Sequence, residues 1–161
     1  MKAVSVVTIR KELKYKSKEE LAELCLRLSR FKKENKELLT YLLFEAHDES
    51  GYIATVKAEI DEQFEDINTD SYFYIKKSVR KILRHTRKYI RYSLKKDTEV
   101  ELLLYFCRKL KMLKPSITQN TTLTNLYERN MEAIRKKISK LHEDLQYDYT
   151  IMLEEMEQLH E

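Results

Sequence analysis

A chain of 161 residues with one glycine, Gly51, and one proline, Pro115, has almost no means of turning sharply. Two-residue hairpins and tight βα loops lean on glycine, proline and asparagine-glycine steps. Their near absence leaves helices joined by short polar turns. Charged residues make up 36% of the chain and apolar ones 42%, enough to bury a core and well suited to amphipathic helices. We expect an all-α fold of six or seven helices in antiparallel hairpins, as a helical bundle or short α-solenoid closed by one or two long C-terminal helices.

The size suits a single domain over residues 1–161. The opening apolar stretch, Val4 to Ile9, runs into Arg10-Lys11 without a cleavage signature, and no run approaches the roughly 20 apolar residues of a membrane span. A cytoplasmic protein is the expectation. Cys25 and Cys107 each lie inside an apolar helical stripe, which reads as two buried thiols.

Helix starts are expected where a polar residue precedes an apolar-periodic run. Ser17 with Glu20, and Thr98 with Glu101, have the spacing of capping boxes, and Asn35 and Asp70 stand where single caps would fall. Leu21, Leu24, Leu28 and Phe31 share one face, and Leu38, Leu39, Leu42, Leu43 and Phe44 follow in a second helix, giving a first αα-hairpin. After Gly51 a stripe of Ile53, Val56, Ile60, Phe64 and Ile67 faces away from acidic residues. A long helix then carries Ile75, Val79, Ile82, Leu83, Ile90 and Leu94 toward the core. The next, with Val100, Leu103, Leu104, Cys107 and Leu110 on one stripe and Leu102, Phe106 and Leu113 on another, is expected to be the most buried. A weak echo aligns Leu21, Leu24 and Leu28 with Leu83, Thr86 and Ile90, and Leu38, Leu42 and Phe44 with Val100, Leu104 and Phe106.

Residues 114–124 form the one candidate linker, since Pro115 ends the preceding helix, and would separate hairpins over 1–113 from a helical segment over 125–161. Beyond it an apolar stripe runs from Met131 to Leu159. Unbroken from Asn125 to His160, this helix would be roughly 54 Å long. It therefore either breaks near His142 to Asp144 or projects to meet another chain. In the second case Met131, Ile138, Leu145, Met152 and Met156 form a self-association seam.

Net charge is only +4, yet the cations are concentrated. Residues 71–96 hold ten lysines and arginines and no acid. Tyr72, Tyr74, Tyr89 and Tyr92 lie in or beside them, so the segment offers charge for phosphates and rings for bases. The upstream acids Glu59, Asp61, Glu62, Glu65, Asp66 and Asp70 are the competing partners. Arg84, Arg87, Lys88 and Arg91 are the cations expected to escape them. A basic amphipathic helix can also lie on anionic lipid, but this apolar stripe is better used in the core.

No reaction is nominated. Four scattered histidines and a lone Glu157-x-x-His160 fall short of a carboxylate-bridged metal site, and there is no phosphate-binding glycine loop, nucleophile elbow or Cys-x-x-Cys pattern. Catalytic, metal and cofactor residues are therefore expected to be none.

Leu13, Ser17-Lys18-Glu19-Glu20-Leu21, Glu23-Leu24, Lys77-Ser78-Val79, Arg84-His85, Leu104-Tyr105-Phe106 and Tyr127-Glu128 together resemble, in order and spacing, a family of small all-helical bacterial proteins with a domain of unknown function. The resemblance implies a bacterial cytosolic domain and brings no site residues. The leading reading is a non-enzymatic module that binds a protein or itself. The alternative is nucleic-acid binding through the basic helix 76–96, and an enzyme with an unrecognised site comes third.

Overall fold

A computed structural model describes residues 1–159. Among them are eight α-helices and no strand, one helix more than the upper expectation. The additional one is α1 (Val6–Leu13), capped by the Ser5 hydroxyl, which accepts from the Thr8 amide. Two separately packed units divide at Phe44 and Glu45, well before the candidate linker at 114–124.

The first unit contains α1, α2 (Lys18–Phe31) and α3 (Lys33–Thr40). The Ser17 capping box forms as expected: the Glu20 amide donates to Ser17 Oγ at 3.1 Å, and the Ser17 amide to Glu20 Oε2 at 2.8 Å. Asn35 does not cap α3. It sits inside the first turn, and its side-chain amide instead donates to the Leu28 carbonyl at 2.8 Å, stitching the end of α2 to the start of α3. None of the residues of these three helices is buried. The stripe expected as a hairpin core is open, with Leu28 61% and Phe31 77% exposed. Cys25 is exposed as well, contrary to expectation.

The second unit holds α4 (Glu49–Glu65), α5 (Tyr72–Ser93), α6 (Lys96–Lys111), a short 3-10 turn (Ile117–Gln119), α7 (Thr121–Ile138) and α8 (Glu143–Gln158). α6 is central and packs against α4, α5, α7 and α8. Its two apolar stripes explain that position: Val100, Leu103, Leu104, Cys107 and Leu110 on one, Leu102 and Phe106 on the other, are all buried. Phe106 also meets Phe64 of α4, ring centres 5.8 Å apart. The expected stripe of α4 is buried from Ile53 to Ile67.

Several boundaries differ from expectation because tertiary partners claim the polar residues. Thr98 does not open α6. It is fully buried in the first turn, where its hydroxyl donates to Glu49 Oε1 at 2.6 Å, while Glu101 pairs with Lys57. Asp70 does not cap α5, whose N-cap is Ser71. Gly51 lies inside α4, three residues after its true cap, Asp48, whose Oδ1 accepts the Gly51 amide at 3.0 Å. A side chain there would strike that cap, since a Cβ on Gly51 would lie 2.3 Å from Asp48 Oδ2. Leu94 points outward, 82% exposed, because it ends α5 in the left-handed region (φ 59°).

Residues 114–124 are built into the second unit. Ile117 is buried, Tyr72 of α5 donates its hydroxyl to the Ser116 carbonyl at 2.7 Å, and Asn120 caps α7 by accepting the Leu123 amide. Of the two alternatives for the C-terminal segment, the break near His142 is the one found, with His142 as the N-cap of α8. The aligned echo does not carry equal environments: Leu24, Leu28, Leu42 and Phe44 are exposed, while Thr86, Ile90, Leu104 and Phe106 are buried.

Candidate nucleic-acid interface

The helical period splits α5 into two faces. Ile75, Val79, Ile82, Leu83, Thr86 and Ile90 are buried against the unit. Phe73, Lys77, Arg80, Arg84, Arg87 and Arg91 recur at spacings of three and four on the opposite side, and every one is exposed. From Lys77 to Arg91 this ridge spans about 21 Å at about 1.5 Å per residue. Phe73, Lys76, Lys77, Arg80, Lys81 and Arg84 bound a shallow groove of about 640 Å³ at its N-terminal end. Phe73 is 67% and Tyr74 46% exposed, their rings edge to face at 5.4 Å.

The acids upstream leave this ridge uncovered. Asp61 turns toward α6, where Lys109 Nζ lies 2.8 Å from its carboxylate and the Tyr105 hydroxyl donates to both oxygens at 2.7 and 2.8 Å. Burial pushes the Asp61 carboxyl up, but those hydrogen bonds outweigh it and hold the group below its usual range. Burial and the same carboxylate push the Tyr105 phenol up to about 12. Glu59 accepts the Tyr89 hydroxyl at 2.6 Å. Glu62, Glu65, Asp66 and Asp70 are exposed. Among the described residues no salt bridge joins an acid to Lys76, Lys77, Arg80, Lys81, Arg84 or Arg91.

Of the four cations singled out in the sequence, Arg84 and Arg91 stand open. Arg87 is exposed but tied, donating to Oδ1 of the buried Asn130 on α7 at 3.2 Å. Lys88 is half-buried with its ammonium 4.8 Å from the centre of the Tyr89 ring. Lys77, Arg80 and Lys81 extend the ridge toward Phe73; the selection of 84–91 passed over them, although the same three-and-four spacing marks Lys77 and Arg80. The expected stacking rings are mostly committed elsewhere: Tyr72 to Ser116, Tyr89 to Glu59, and Tyr92 to the core. Phe73, without a polar handle, stays exposed at the start of the ridge, beside Tyr74.

The C-terminal seam is not a free surface. Met131, Ile138 and Met156 are buried within the second unit, Leu145 is half-buried, and Met152 alone is largely exposed, at 43%. α8 folds back onto α6 and α7, so the stripe is satisfied by its own chain.

Among the described residues no three histidines, cysteines or acids gather as a metal site, and His160 lies outside those residues. A cleft of about 250 Å³ between α4, α6 and α8 holds Glu101 and Glu155, but Glu101 is paired with Lys57 at 2.6 Å. No helix among the described residues is long and apolar enough to cross a membrane. No family model, curated protein or solved structure matches this chain.

Proposed function

We propose that this chain is a non-enzymatic binding module whose α5 ridge takes a nucleic acid, with an unpaired base against Phe73. The observation that carries this reading is that Asp61 is turned to α6, Glu59 is held by the Tyr89 hydroxyl and the other acids of residues 59–70 face solvent, leaving a row of cations on α5. Such a row favours a polyanion through counterion release, and an exposed ring beside it offers a sequence-tolerant stacking surface. The order of the two leading readings reverses, because most of the stripe that would have supported C-terminal self-association is enclosed by its own chain.

Fluorescence anisotropy with labelled single-stranded RNA, repeated from low to high salt, tests the proposal. Binding should weaken steeply with salt, by a slope of about 0.7 per neutralised phosphate. Reversing Arg80, Arg84 and Arg91 to Glu should abolish it while leaving the helical circular dichroism unchanged. Changing Phe73 to Ala should weaken binding with little effect on the salt slope, by about 1 to 3 kcal/mol. A native chain that binds neither single-stranded nor duplex nucleic acid at low salt ends this reading. Binding to anionic vesicles alone would assign the ridge to lipid instead.

A further inference from the structure

The first unit poses a separate question. Its three α-helices are amphipathic, yet none of their residues is buried and only Leu21 and Leu39 of their leucines are half-buried. Between α1 and α2 runs an apolar groove of about 750 Å³ walled by Val4, Ile9, Leu13, Leu24, Leu28 and Phe31. Contiguous exposed apolar surface of this kind marks an interaction site.

The charges of α2 say what covers it. After the opening Lys18 they fall in two blocks, Glu19, Glu20 and Glu23 in the first half and Arg27 and Arg30 in the second. Glu20 is engaged locally, by the Ser17 amide and by Lys16 at 3.9 Å. Glu23 and Arg27 stand one turn apart, yet among the described residues neither they nor Glu19 and Arg30 form a salt bridge. An acid block followed by a basic block is its own complement when turned end for end. Laid antiparallel against a second α2, Glu23 faces Arg27 of the other copy and Glu20 faces Arg30. Both pairings centre on the level of residue 25, although the Cys25 side chain, two residues from both Glu23 and Arg27, lies on the far side of the helix. A parallel arrangement would set acid on acid and base on base, which is repulsive.

We propose that the α1–α2 face is covered by a second copy of this chain, with α2 antiparallel to α2 about a two-fold axis crossing the helix at the level of residue 25. The contact is isologous, so one surface serves both copies and the assembly closes at two. The apolar groove supplies the buried area, and the charge blocks fix the direction.

Light scattering on the full chain across a concentration series should show a dimer. Arg27→Glu with Arg30→Glu sets acid against acid at both pairings and should give a monomer at concentrations where the native chain is dimeric. Adding Glu20→Arg and Glu23→Arg to that variant exchanges both pairs and should restore the dimer, which also shows that the altered helix still folds. A native chain that stays monomeric throughout overturns the proposal, as does a dimer that survives Arg27→Glu with Arg30→Glu.

Discussion

His85 is set among the cations of α5 and turns its Nδ1 toward Gln63 Oε1 of α4, 3.0 Å away. Burial, followed by Lys88, Lys81 and Arg84, holds the imidazole below the usual histidine range, against a smaller opposing pull from Glu59. The unfolded chain therefore takes up this proton more readily than the folded one. The contribution of His85 to stability is complete above an ordinary pKa of about 6.5 and is lost as pH falls from there through the folded value. A proton NMR titration should place the His85 inflection below 6.5. Adding a polyanion should raise it, because bound phosphates offset the three neighbouring cations. An unmoved His85 in a saturated complex would place the strand elsewhere. At this scale the sequence was legible only where partners are neighbours in the chain. Ser17 and Glu20 find each other within one turn, so their motif could be read directly. Thr98 has the same spacing to Glu101, but its hydroxyl is claimed by Glu49, which only the folded chain brings near.

Among the elements, α8 depends most visibly on another helix for its end. Lys111 of α6 donates to the Met156 carbonyl at 2.9 Å and the Glu157 carbonyl at 3.2 Å, placing a cation at the negative end of the helix dipole. Arg135 of α7 pairs with the Glu157 side chain as well. Replacing Lys111 by Met keeps much of the apolar stem and removes the charge. We expect a loss of roughly 0.3 to 1 kcal/mol, with faster amide exchange confined to the last turn of α8. Exchange unchanged in that turn would show that the lysine contributes nothing there. Periodicity located the apolar faces of α4 to α8, but it ran without interruption through His142, and only the length of an unbroken helix raised a break there as one of two alternatives. It could not say whether a stripe meets its own chain or another. The stripe of α7 and α8 looked like a seam and is mostly enclosed, whereas Leu24, Leu28 and Phe31 looked like a core and are open. Both carry the same three-and-four pattern, and only the return of α8 onto α6 separates the cases. The fate of the acids was equally hidden, because Asp61 is drawn to Lys109 and Tyr105 across the fold.

For the whole molecule, the division into two units comes with one thiol in each. Cys25 is exposed in the first, while Cys107 lies fully enclosed on the central helix of the second, where burial pushes its thiol up to about 12. A maleimide reaches the thiolate, so Cys107 can react only when the helices around α6 part. Its labelling is a clock for the opening of the second unit. In dilute native protein Cys107 should react at least about a thousandfold more slowly than Cys25, the ratio expected for a unit stable by roughly 5 kcal/mol. Comparable rates would mean that α6 is not held shut. Anything that binds α5 in the closed state slows the clock in proportion to its occupancy. A companion settling on α2 would leave that clock running, so a slowed Cys107 assigns the engagement to the second half of the chain.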